Sequence, residues 1–219
     1  MFIGHFAVGL AAKKVAPRTS LGTLVAAAQL ADLIWPALVL LGVESVRIDP
    51  GNTAVTPLDF VHYPWTHSLL MAVLWGAAFG LLYRARTGSR RGAWTVAALV
   101  PSHWVLDFVS HRPDLPLAPG LSTRVGLGLW RSVPATVAVE VALFAAGLGI
   151  YLSATRARSW RGSLPLWALA AVLLIAYAGA LTQVPPGPSA VAWSGLLMWL
   201  FVAWGWWLDR NREPRAARA

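Results

Sequence analysis

Leu164-Pro-Leu-Trp-Ala-Leu-Ala-Ala-Val-Leu-Leu-Ile-Ala-Tyr-Ala-Gly-Ala-Leu-Thr182 contains no charged residue in nineteen positions. A stretch of about 20 apolar residues in helical conformation crosses the ~30 Å hydrocarbon layer of a bilayer. Comparable apolar runs lie at 20–43, 67–83, 93–110, 133–152 and 189–208, and a shorter one at 2–12 ends in Lys13 and Lys14. The short run is read as a half-penetrating or interfacial helix. The fold expected is therefore an all-α, polytopic transmembrane helix bundle: five to six spanning helices plus a short N-terminal half-helix, in one transmembrane domain over 1–219.

Composition agrees with that class. Hydrophobic residues make up 57% of the chain and charged residues 12%, against roughly 25% charged in soluble domains. The net charge of +9 would suit nucleic acid, but its distribution argues against that partner. Lys13, Lys14 and Arg18, then Arg84, Arg86, Arg90 and Arg91, then Arg156, Arg158 and Arg161, then Arg210, Arg212, Arg215 and Arg218 fall in alternate loops. The remaining loops hold only Arg47, Arg112, Arg124 and Arg131. Basic residues concentrate on the cytoplasmic side of membrane proteins, so the chain is expected in the cell (inner) membrane with its C-terminus cytoplasmic and loops 44–66 and 111–132 external. Membrane lipids are its expected surroundings. With no Cys, disulfides and thiolate ligands are excluded.

Ionisable groups inside apolar spans are costly and mark function by default. All five His (His5, His62, His67, His103, His111) lie in the first half of the chain. At 1.5 Å rise per residue, Asp32 and His103 fall about 17 Å from the cytoplasmic boundary, Glu140 about 18 Å, Asp107 and His67 about 22–24 Å and His5 about 12 Å. Groups from five segments thus share one slab, and gathering them around one point would satisfy each away from lipid. The sharpest local pattern is His103-Trp-Val-Leu-Asp107-Phe-Val-Ser-His111. A spacing of four places His103 and Asp107 on one helical face, where they offer an imidazole and a carboxylate to one ion, or an Asp that merely orients a buried His. His111 is read as a helix end in water. In His62-Tyr-Pro-Trp-Thr66-His67-Ser68, Pro64 leads into a helix that Thr66 would cap. His67 then points to the bundle mouth, and His62 is a base, a supporting group or surface.

Gly4-His5, an Asp in the first long helix, His62 followed by Thr66-His67-Ser68, and His103-x-x-x-Asp107 occur in one order. That order resembles the YdjM-type family of bacterial and archaeal membrane-bound metal-dependent hydrolases, over roughly residues 1–150; Gly128-Leu-Trp130 and Glu140 resemble a subgroup. The chain departs from the family's usual pattern at Ala31-Asp32, where Pro-Asp is common, and at His62-Tyr63-Pro64, where His-Arg-Gly is. The resemblance implies a metal site more firmly than a substrate.

Together these readings predict a divalent ion held by His5, His67, His103 and one or both of Asp32 and Asp107. Zn²⁺ suits nitrogen and carboxylate donors best, with Mn²⁺ and Fe²⁺ as alternatives. Glu140, Asp107 and His62 are the expected catalytic groups, and the reaction expected is hydrolysis of an ester, amide or phosphoester in a lipid-like substrate. An ion- or proton-coupled transporter and a noncatalytic protein with a structural metal are the competing expectations. Residues 151–219, poor in polar groups, are expected to pack and anchor.

Overall fold

In the computed structural model, which describes residues 1–215, every apolar run becomes helix. In chain order these are α1 (Ile3–Val15), α2 (Leu21–Ala28), α3 (Leu30–Leu40), α4 (Pro64–His67), α5 (Leu69–Thr87), α6 (Arg90–Ser110), α7 (Val133–Ala154), α8 (Trp160–Thr182), α9 (Pro188–Leu196) and α10 (Met198–Asn211). Short antiparallel hairpins pair β1 (Ser45–Ile48) with β2 (Leu58–His62), β3 (Leu115–Pro116) with β4 (Arg124–Val125), and β5 (Thr155–Ala157) with β6 (Arg212–Pro214). Serine starts many of the helices: the hydroxyls of Ser20, Ser68, Ser89 and Ser132 accept first-turn amides of α2, α5, α6 and α7, which leaves fewer amide donors unpaired. Ser68, not Thr66, caps α5.

Four helical stretches are long and apolar enough to span a bilayer: α5, α7, α8 and the α9–α10 stretch Pro188–Asn211; the α2–α3 pair, bent by 60°, makes up to five. Of the runs expected to span, 93–110 is not among these stretches. Helix α6 has 21 residues, about 30 Å of helix, but Arg90, Arg91, Ser102, His103 and Asp107 lower its apolarity. It turns its polar residues inward, burying His103 and Asp107.

Of the two expectations for the short N-terminal helix, half-penetrating or interfacial, its burial agrees with the first: α1 packs within the bundle with Ile3, His5, Phe6, Ala7, Leu10 and even Lys13 buried, chiefly on α7 and also on α2 and α6. Small residues make that approach possible. A side chain at Gly147 of α7 would collide with the backbone of Ala7. The buried Lys13 is satisfied: Asp209 Oδ1 and Oδ2 accept from Nζ at 2.9 and 2.8 Å and Thr19 O at 2.8 Å. Asp209 Oδ2 also accepts the Leu21 amide at 2.7 Å, tying α10 to the start of α2.

These contacts define one end of the bundle. Arg156 pairs with Glu213 and Arg212 donates to Thr155 Oγ1 there, so the clustered basic segments lie together, while Arg218 lies outside the described residues. At the opposite end Arg47 and Arg112 both donate to Asp59. Helices α5 and α6 form the tightest long pair. The sequence Gly76-x-x-x-Gly80 brings small residues to the crossing, as membrane helix pairs require, and a Cβ at Gly80 would sit 2.8 Å from Ala97 Cβ and 2.9 Å from Ala93 O. A Gly80→Leu variant is expected to lose about 1–3 kcal/mol by overpacking, seen as a lower unfolding temperature in detergent; an unchanged transition would contradict the tight crossing.

Candidate metal centre

Helix α6 carries His103 and Asp107 one turn apart, both 2% exposed. Three other elements bring partners to them. The α2–α3 break turns Asp32 inward, the single turn of α4 delivers His67, and α1 delivers His5. His67 Nε2 lies 3.3 Å from Asp32 Oδ1 and 3.9 Å from Asp107 Oδ2. His103 Nε2 lies 3.1 Å from Asp107 Oδ2 and 3.8 Å from Asp32 Oδ2. His5 Nε2 meets the other oxygen of Asp107, Oδ1, at 3.1 Å, and its ring stacks on His103 at 3.7 Å. Five expected ligands are thus gathered, in two overlapping trios: His5, His103 and Asp107, and Asp32, His67 and His103.

Hydrogen bonds outside the cluster set the ring tautomers. His103 Nδ1 is 2.9 Å from Ala28 O. A carbonyl only accepts, so Nδ1 carries the hydrogen and a neutral ring keeps a lone pair on Nε2. Although His103 Nε2 is close to Asp107, the angle makes no hydrogen bond, and the atom has no partner. The Ala28 carbonyl sits at the helix break, so one break both bends the chain toward the site and orients a ligand.

His67 is held by a longer chain. Glu44 Oε1 accepts the amides of Trp65 and Thr66 at 2.8 and 3.0 Å, and its Oε2 accepts the Thr66 hydroxyl at 2.7 Å. With its hydrogen committed to a carboxylate, Thr66 Oγ1 accepts from His67 Nδ1 at 2.7 Å. A neutral His67 therefore presents a lone pair at Nε2 toward Asp32. With both rings neutral, acceptor would face acceptor at each, an arrangement that a cation between them, or a proton on either ring, would satisfy.

The spacing fits a cation. Tetrahedral zinc with bonds of about 2.0–2.2 Å places neighbouring donor atoms roughly 3.3–3.6 Å apart, and the four nitrogen-to-carboxylate separations above run from 3.1 to 3.9 Å. His103 has a single free nitrogen and so serves one ion. The α-amino group of Met1 lies 2.5 Å from Asp107 Oδ1, a positive group against the more buried of the two carboxylates in the cluster.

The remaining expected residues separate. Glu140 is buried and enters neither trio; its Oε2 accepts the amides of Phe2 and Gly4 at 2.8 and 3.1 Å, filling the first-turn donors of α1. His62 is exposed at the end of β2. His111, expected in water, is instead buried: its Nδ1 lies 3.0 Å from Asp114 Oδ1 and its ring centre 4.2 Å from that of Trp130. Burial alone would raise the Asp114 carboxyl, but hydrogen bonds from His111, Arg112 and Tyr63 outweigh it and hold the group below its usual range. Burial pushes the Tyr63 hydroxyl well up, so it remains a donor to Asp114 at 3.2 Å.

A cavity of about 480 Å³ opens beside the cluster, with Asp32, His67, Asp107, Glu140 and His111 on its polar side. Asp32 keeps 24% side-chain exposure, so it is the ligand nearest the open space. Sequence reasoning missed Glu44. An acid at the end of an apolar run was the available sign, but its partner lies more than twenty positions away. Glu44→Gln and Thr66→Val are expected to weaken metal binding by about 10–100-fold with the fold retained, as measured by chelator competition and circular dichroism; unaltered affinity in both would remove this chain from the site.

The family model described as YdjM inner membrane protein matches residues 1–185, which carries the match past 150 and through α8. No curated protein and no solved structure matches the chain. A match over most of the chain, with a His/Asp cluster assembled from helices within it, makes this protein a member of the YdjM inner membrane protein family.

Proposed function

We propose that the chain is a membrane-embedded, metal-dependent hydrolase acting on a lipid-like or membrane-associated ester, amide or phosphoester. The observation that carries this reading is the convergence of His67 Nε2 and His103 Nε2 on the carboxylates of Asp32 and Asp107 at 3.1–3.9 Å. These four residues would hold the ion, most simply Zn²⁺, with Mn²⁺ or Fe²⁺ compatible with the same donors. His5 braces Asp107 from the far side and completes the expected ligand group. A divalent ion in this position supplies Lewis acidity and makes water nucleophilic near neutral pH.

The protein's own groups supply the rest. Asp32, partly open to the cavity, orients the approaching polar group. Glu140, fixed by two amide donors and lining the same cavity, accepts a proton from water and returns it to the leaving group. The buried position of Asp107 and His103 keeps bulk water away from the reacting bond. His62, exposed on β2, has no part in this scheme.

The bent α2–α3 pair favours a second reading, because broken helices beside buried acids also build transport sites. Flux of protons or divalent ions through proteoliposomes would support that reading. A closed, structural metal site fits less well, since Asp32 faces a cavity.

The expected outcome for purified wild type is near-stoichiometric metal by elemental analysis, lost in both His103→Ala and Asp107→Ala. Absence of metal after growth with added zinc and manganese would overturn the hydrolase reading. We further propose that the end bearing Lys13, Arg84 and Arg156 faces the cytoplasm. The cysteine-free chain allows a direct test: an impermeant maleimide on intact cells is expected to label Ser122→Cys and to spare Arg86→Cys, and the reverse pattern would invert the topology.

A further inference from the structure

The C-terminal third, expected only to pack and anchor, builds one side of the cavity. Ala176, Ala180 and Leu181 of α8 and Val191, Met198 and Phe201 of α9–α10 line it. Polar side chains gather at the opposite side, around Asp32, His67, Asp107, Glu140 and His111. Among the lining residues Ala180, Ser194 and Leu197, the last at the α9–α10 break and 60% exposed, are exposed, while Val55, Thr56 and Leu58 of the β1–β2 hairpin are half-buried. The most exposed part of the lining therefore lies between α8 and α9–α10. Both walls there belong to stretches apolar enough to cross a bilayer, so that side of the cavity faces lipid.

We propose that this cavity is a lateral entry site for one hydrocarbon chain of an amphiphile, whose polar group then lies at the Asp32–His67–Asp107 side. The assignment of the polar group rests on the hydrolase reading; the chain site rests on the cavity alone. A chain alongside Ala176, Ala180 and Met198 exchanges bilayer surroundings for an equally apolar wall, so entry costs little. A polar ligand without a chain would leave that wall unfilled or wet. The volume sets the number of chains. The cavity, about 480 Å³ with its polar end included, is of the size of one ligand-binding site of roughly 300–1,000 Å³ and has room for one chain rather than several. Ala176 and Ala180, one helical turn apart, leave this room because their side chains are small, and Ala180→Trp fills the mouth.

The test is photolabelling of the full-length protein reconstituted in phosphatidylcholine vesicles, using a single-chain phospholipid with a diazirine near the chain end. Labelled peptides are mapped by mass spectrometry. Labelling is expected to concentrate in 176–201, to fall at least about tenfold in Ala180→Trp and in Met198→Trp, and to be displaced by excess unlabelled single-chain lipid. Metal content and unfolding temperature, read in parallel, are expected to match wild type. Two variants from opposite walls guard against loss of fold in either. Labelling spread evenly over the outward faces of α5 and α8, and unchanged by both substitutions, would overturn the proposal. If wild type holds no metal but labels in 176–201, the hydrolase reading falls and the chain site stands. If it holds metal and labels only as bulk lipid does, the chain site falls and the metal reading stands.

Discussion

Two carboxylates, Asp32 and Asp107, are held in an apolar helix bundle, and a buried carboxylate without a positive partner costs several kcal/mol. The rest of the centre answers that constraint. His5, His67 and His103 come to the acids from α1, α4 and α6, and each imidazole is brought by a different piece of backbone geometry. The outer nitrogens of His67 and His103 are committed to Thr66 and Ala28, so as neutral rings these two would not neutralise the acids. Their lone pairs would then converge on Asp32 and on Asp107 Oδ2, while the Met1 amino group meets only Asp107 Oδ1, and a cation would be the natural occupant of the space left between them.

The same constraint explains features of the fold that would otherwise be costly. A continuous helix over 21–40 would satisfy more backbone than the observed 60° break. The break is tolerated because His103 Nδ1 takes up the Ala28 carbonyl, as irregular backbone at membrane depth must be satisfied by protein. Likewise α1 is too short to cross a bilayer, yet it is buried along most of its length. It brings His5 to Asp107 and presents its first-turn amides to Glu140. Lys13 and Asp209 close its other end. A half-helix in the centre of the bundle is therefore a consequence of where the acids sit.

Much of this centre was readable in the sequence because the spacing of His103 and Asp107 is local and because charged groups stand out in apolar runs. Depth alone grouped Asp32, His67 and His5 with them. Partners joined only by the fold were not readable. Glu44 reaches His67 through Thr66, and the position of Thr66 just before a helix suggested capping, a role that Ser68 fills. His111 stands at a helix end, which reads as solvent; its burial depends on Trp130 and Asp114, which the chain returns to it. Helix α6 falls short of an apolar span by composition for a related reason, since a helix that carries polar cluster residues meets protein on the face that would otherwise meet lipid. The three short hairpins left no clear alternation, because two of them have strands of only two or three residues.

Apolar residues are the least informative of all in such a chain. Val191, Met198 and Phe201 read the same whether they face lipid, another helix or a cavity, so the wall beside the His/Asp cluster had no signature in 151–219. What distinguishes them is position relative to the charged cluster. A polar centre that opened only to water would gain nothing from spanning helices around it, whereas one that opens between α8 and α9–α10 places a strongly polar site at the end of a hydrocarbon passage. That juxtaposition is costly to build in a membrane, requiring a broken helix, a buried half-helix and a hydrogen-bonded chain of three residues to hold one histidine. Such an expenditure of backbone regularity is understandable if both halves of one amphiphilic molecule must be met at once: its polar group by His67, His103, Asp32 and Asp107, its chain by the helices beyond them.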